Sequence, residues 1–198
     1  MLKIHENPPI AFPVQESLEE FSGHWWVAHT KSRNEKALAH DLIARKIPYF
    51  LPMTLSITRR TRRTVKSLLP LFTGYMFFCG DDESRADVIQ TNRVANIIEV
   101  PDQMSFLGEL TQIEKALRAG VPISPHPYIK KGQWCRVIAG PLMGSEGIVQ
   151  EIRNNVRLIL QIDMLGQAAS VEIDISLIEK IDKADQADGD QVERPNEA

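Results

Sequence analysis

The side chains that could act as nucleophiles, acid-base groups or metal ligands are dispersed along the chain. His5, His24, His29, His40 and His126 fall at no spacing that would bring two ligands to one metal ion. Ser145 has no strand-turn-helix elbow around it, and the acids scatter over segments that read as surface. Cys79 and Cys135 stand far apart without a paired spacing, which argues for small core residues and against a disulfide or zinc site. The glycine-rich stretch Gly140 to Gly147 lacks the Gly-Lys-[Ser/Thr] ending and the following helix of a phosphate loop. No catalytic residue, metal or cofactor is therefore expected. The chemistry that stands out is charge: Arg59, Arg60, Arg62 and Arg63 put four arginines in five residues. Crowded cations repel one another, so such a run suits a tip that faces an anion; a solvated loop is the plain alternative.

With 198 residues the chain can build one medium domain or two small ones, and its 43% hydrophobic and 25% charged content is that of an ordinary globular protein. No apolar run reaches the roughly 18 residues of a membrane span, and the start has no secretory apolar stretch, so a cytoplasmic location is expected. The net charge of −3 conceals an uneven distribution. Residues 22–121 hold 14 Lys and Arg against 10 Asp and Glu, whereas residues 1–21 hold 1 against 4 and residues 122–198 hold 8 against 12. A basic middle between acidic ends points to a phosphate-contacting domain followed by a half with another task.

The elements that must carry the arginines can be read in order. Residues 1–21, with Pro8, Pro9 and Pro13, read as a disordered lead-in. His24 to Thr30 is a strand with its tryptophans on opposite faces, and Ser32 to Glu35 has the form of a capping box opening a helix with an apolar stripe of Leu38, Ala39, Leu42 and Ile43. Lys36, Asp41 and Arg45 lie off that stripe toward solvent. Tyr49 to Ile57 is a strand broken by Pro52, and the arginines then form the tip of a hairpin.

Pro70 to Cys79 is a central strand entered through a bend at Gly74. Tyr75, Phe77 and Cys79 point to one face and Met76 and Phe78 to the other, so both faces must be covered. A helix from Asp81, a strand from Ala95 to Val100 and a strongly periodic helix from Met104 to Ala119 complete an α+β domain over 22–120, an antiparallel sheet with flanking helices.

Val121 to Pro127 has three prolines in seven residues and reads as a linker. Residues 128–182 follow as short β-rich runs of a small all-β barrel, and 183–198 as an acidic disordered tail. The β-branched residues of Val156 to Ile162 and Val171 to Ile175 favour strands over helices. A linker of this length reaches about 30 Å, so the two domains are expected to tumble semi-independently.

In the second half, a strand ending Val137-Ile138, a Gly140-Pro141-x-x-Gly144-x-x-Gly147 loop and the strand Ile148-Val149 resemble the KOW motif. Asp163 to Gln167 and Val171 to Ile173 look like the hairpin and last strand of a NusG C-terminal domain. Trp25-Trp26-Val27, the helix with Asn34-Glu35, and Leu71 to Phe78 are similar in order and spacing to a NusG N-terminal domain. The likeness runs over about residues 24–181. Thr73 stands where the family usually has proline, and Leu165 where a phenylalanine is usual. Tyr49 to Pro52 followed by the basic hairpin looks more like specialised paralogues such as RfaH than like the housekeeping factor.

The resemblance implies a non-enzymatic, monomeric transcription elongation and antitermination factor that modulates pausing and termination. Its N-terminal domain would dock on the β′ clamp helices of RNA polymerase through His29, Phe72, Tyr75 and Phe77. Lys31, Arg33, Arg45, Arg93 and the four hairpin arginines would face DNA of the elongation complex. The KOW barrel would recruit a small-subunit ribosomal protein or termination factor Rho through Leu142, Met143, Met164 and Leu165. A KOW barrel also resembles parts of ribosomal proteins, so a ribosome- or RNA-binding protein acting without polymerase is the alternative, and a membrane partner is not expected.

Overall fold

The structure, a computed structural model, describes residues 6–15, 17–60, 63–126, 132–152 and 155–181. Its N-terminal part is α+β. Strands β1 (Ala11–Phe12), β2 (His24–Thr30), β3 (Tyr49–Phe50), β6 (Tyr75–Gly80) and β7 (Val94–Glu99) form a five-stranded antiparallel sheet in the order β1-β3-β6-β2-β7. A separate two-stranded hairpin, β4 (Met53–Arg60) with β5 (Arg63–Pro70), leaves the sheet between β3 and β6. Pro52 sits at the break between β3 and β4, where a residue without an N–H costs no ladder bond.

Strand β6 is covered on both sides, as its aromatic alternation requires. On one side Met76 and Phe78 pack with Leu38, Ala39 and Leu42 of α1 (Glu35–Arg45) and Val88 of α2 (Asp82–Gln90). On the other, Phe77 and Cys79 pack with Phe106, Leu110 and Ile113 of α3 (Gln103–Arg118), and the Phe77 and Phe106 rings meet edge to face at 5.6 Å. Burial pushes the Cys79 thiol up to about 11, which keeps it protonated and inert.

Two expectations for the flanks are corrected. The lead-in is built into the fold from residue 6 onward: β1 extends the sheet edge, Leu18 is buried, and a capping box joins Ser17 and Glu20 in a single 3-10 turn at Leu18–Glu20. The corresponding box at the start of α1 is absent. The helix begins after Asn34 with no side-chain cap, because Glu35 turns inward to another donor. Residues 1–5 and the acidic stretch 182–198 lie outside the described residues.

The proline-rich segment is the second correction, since β8 (Ile123–His126) pairs with the far part of the chain. The C-terminal part is an all-β unit of β8, β9 (Gln133–Val137), β10 (Glu146–Ile152), β11 (Asn155–Ile162), β12 (Gln167–Ile173) and β13 (Ile178–Lys180), antiparallel in the order β13-β9-β10-β11-β12-β8. Pro125 is tolerated because β8 lies at the sheet edge. Gly147 is needed where β10 crosses β11: a side-chain carbon there would run into the backbone oxygen of Ile159. The two parts do not stand apart. Buried Leu158, Leu160 and Ile162 join the same apolar cluster as Leu110 and Ile113, and the backbone of Glu146 donates to Gln112 of α3 at 2.6 Å.

Phe77 is fully buried in this arrangement. Phe77→Ala should cost about 3–5 kcal/mol of stability, the range for emptying an aromatic core site. A denaturant midpoint shift corresponding to less than about 1 kcal/mol would show that β6 is not the packing centre.

Candidate functional site

The bend before β6 is fixed by a buried carboxylate. Glu35, the first residue of α1 and only 5% exposed, accepts the Gly74 N–H at 2.8 Å, while the Gly74 carbonyl accepts the N–H of Thr30 at 2.8 Å. Gly74 itself holds a φ of 85°, a left-handed conformation that a side chain would strain. The result is a stiff loop whose exit residue, Tyr75, lies directly across the ladder from His29, and the two rings stack at 5.2 Å. His29 is exposed and Tyr75 half-buried, so the pair presents an aromatic surface at the end of the sheet.

The other two residues expected in that patch are not on it. Phe72 is 1% exposed and Phe77 0%, both drawn into the core under α3 by the alternation of β6 and the turn that precedes it. They support the patch from below and offer it no surface.

Beside the aromatic pair, the loop after β2 and the loop before β7 come together. Lys31 donates from its backbone to the Arg93 carbonyl at 2.8 Å and from its ammonium to Asn92 Oδ1 at 2.5 Å. Arg93 is held by Asp41 at 2.9 Å and by Asn34 Oδ1 at 3.2 Å. Arg33 is exposed, with a φ of 60°. The expected group of Lys31, Arg33 and Arg93 is therefore assembled by two loops that are distant in sequence. Arg45 does not join it: it lies at the opposite end of α1, ion-paired with Asp87 at 3.2 Å. Ten residues of helix separate Arg45 from Glu35, roughly 15 Å.

The hairpin carries the arginines as expected of its backbone, with Arg60 opposite Arg63 and Arg59 opposite Thr64. Arg62 lies outside the described residues. Leu55, Ile57 and Leu69 are exposed on the hairpin stem. Between that stem, α1 and β8 runs a groove of about 1240 Å3 lined by Arg33, Lys36, His40, Leu55, Leu69 and Pro125, among others. Lys36 was expected in solvent, yet its ammonium donates to Asn7 Oδ1 and the Leu68 carbonyl, and burial lowers its pKa against the raising effect of the neighbouring Glu35 carboxylate.

In the C-terminal unit the four expected contact residues divide. Met143 is 61% exposed and Met164 38%. Leu142 is buried at 3%, and Leu165 packs on the cluster shared with α3. The Lys115 ammonium of α3 bonds the Met143 carbonyl, which holds the glycine loop against the helix. Leu142 as folded here is thus a buried core residue, a correction to its expected role.

Glu35 and the Asn34, Asp41 and Asn92 partners were missed in the sequence. Glu35 imitated a helix cap, and nothing in the local pattern marks the other three. Glu35→Ala should leave the Gly74 N–H without its buried acceptor and destabilise the protein by about 1–3 kcal/mol. Amide exchange at Gly74 and Tyr75 should accelerate at the same time; an unchanged exchange rate would mean that the carboxylate does not hold the bend.

A family model described as "Transcription termination factor nusG" matches residues 23–116. No curated protein matches the chain. A chain of the solved structure "Crystal Structure of MjSpt4:Spt5 complex conformation B" is 18% identical, covering 82% of this chain and 99% of that one, with a TM-score of 0.25, an overlap too small to bear on the fold.

Proposed function

The chain belongs to the NusG family through residues 23–116, and on that premise we propose that it is a transcription elongation and antitermination factor that binds the β′ clamp helices of RNA polymerase. The observation that carries the reading is the exposed His29–Tyr75 stack beside the Lys31, Arg33 and Arg93 group, on the domain that matches the family. A half-buried aromatic on a stiff loop has the character of an interface anchor, because little side-chain freedom is lost on docking. The cations beside it, with the hairpin arginines, are suited to phosphates of the nucleic acid that polymerase holds.

The C-terminal unit resembles a KOW domain in the order of its strands and glycine loop, and we propose that it recruits a further protein, a small-subunit ribosomal protein or termination factor Rho. Met143 and Met164 are accessible for that contact as folded. No helix among the described residues is long and apolar enough to cross a membrane.

Recovery of the polymerase β′ subunit with the tagged full-length protein from its own cell extract tests the docking directly. Tyr75→Ala should weaken that association by roughly 2 kcal/mol, about thirtyfold, with the circular dichroism spectrum unchanged. Undiminished affinity removes the aromatic pair from the interface, and recovery of ribosomal RNA without polymerase would replace this reading by an RNA-binding one.

The hairpin is tested separately. Replacing Arg59, Arg60, Arg62 and Arg63 by glutamine should flatten the salt dependence of complex formation on nucleic acid, by about 0.7–0.9 in log-log slope for each phosphate that is no longer neutralised, with sequence preference unaltered. The same slope in both proteins would make the arginine tip a solvated loop.

A further inference from the structure

The segment ahead of the family-matched domain touches α1, β3 and α3. Asn7 bonds Lys36 of α1; the Pro9 and Ile10 carbonyls accept from Tyr49 Oη at 3.0 Å and the Leu51 N–H at 2.7 Å; and β1 closes the edge of β3. Further on, the Leu18 side chain is fully buried under α3 and its N–H donates to Glu114 Oε2 at 3.0 Å. Arg118, paired with Glu114 at 2.8 Å, donates to the Gln15 carbonyl at 2.6 Å. Glu114 is 3% exposed, so its charge-assisted bonds to Leu18 and Arg118 are made at a buried carboxylate, while the Arg118 side chain itself reaches solvent.

Helix α3 has its remaining sides committed. Phe106, Leu110 and Ile113 face the sheet, while Glu109, Gln112 and Lys115, three residues apart, reach Asp163 N, Glu146 N and the Met143 carbonyl of the C-terminal unit. At 3.6 residues per turn, positions 112 and 115 lie on the side of the helix away from position 110, with 109 on one flank and 114 and 118 toward the other. The C-terminal unit is therefore bonded to the outer side of a helix whose flank is clamped by Gln15 and Leu18. Apart from α3, Thr54 Oγ1 donates to the Ile123 carbonyl at 2.7 Å.

We propose that residues 6–21 are a strap that locks α3 onto the sheet and thereby decides whether the C-terminal unit keeps its seat. The strap holds the helix from the edge of the sheet, and the helix holds the C-terminal unit, so freeing the flank of α3 frees the seat. In this device the buried Glu114 carboxylate is the latch. It is satisfied by one strap N–H and by an arginine that itself grips the strap, and without the strap it loses its direct backbone bond and its shield from water.

The full-length protein tests this with Glu114→Gln and Leu18→Ala, read by backbone hydrogen exchange and by the distance between spin labels at Gln90→Cys and Glu172→Cys. Both variants should speed exchange across residues 103–118 by at least about tenfold, the scale of losing a charge-assisted hydrogen bond. The α1, β2 and β6 amides should stay protected, and a second, longer label distance should appear. Unchanged exchange in α3, or a loosened α3 with one unchanged label distance, overturns the proposal. So does cooperative loss of the whole N-terminal domain, which would make the strap ordinary core. Should Leu18→Ala fail to fold, the isosteric Glu114→Gln still decides between these outcomes.

Discussion

The constraint on which the structure rests is the burial of β6 from both sides. Six consecutive residues without a charge present aromatic, thioether and thiol side chains to both faces, and a strand of that kind is stable only between two apolar layers. Helices α1 and α2 supply one layer and α3 the other. The candidate site of the N-terminal domain is arranged around the start of this strand. Its entry carries the Glu35–Gly74 bond and the His29–Tyr75 stack, and the hairpin springs from the segment just before it.

Helix α3 serves two layers at once. Its apolar stripe closes the N-terminal domain, and its outer face, with three polar side chains bonded to backbone groups, receives the C-terminal unit. Those polar bonds flank an apolar contact, since Leu158, Leu160 and Ile162 of the all-β unit share one buried cluster with Leu110 and Ile113.

Charge on the N-terminal domain is organised by pairing as much as by number. Arg93 and Arg45 are each held by an aspartate, and Lys31 by an asparagine, so the loops keep their geometry while their net field remains positive. Partly exposed ion pairs of this kind contribute at most about 1 kcal/mol each to stability. Their effect is to orient the cations: an arginine already aligned by Asp41 and Asn34 needs less ordering when a phosphate arrives.

Much was legible in the chain itself. Alternation along Tyr75 to Cys79 assigned each side chain to the correct face, and the recurrence of Phe106, Leu110, Ile113 and Leu117 marked α3, because periodicity reports burial directly. The arginine run and the glycine spacing of the second half pointed to a hairpin tip and a tight loop for equally local reasons. Where the reading departed from the fold, the cause was long-range pairing. Pro8, Pro9 and Pro13 look like disorder until β3 offers an edge, and Pro122 to Pro127 looks like a tether until β12 offers another. Glu35 looks like a helix cap until Gly74, distant in sequence, presents an unpaired N–H. Phe72, Phe77 and Leu142 look available for partners until the folded core buries them. Periodicity and turn chemistry are properties of neighbours along the chain, whereas which edge is open, which donor is unpaired and which apolar face is already occupied exist only once distant segments have met.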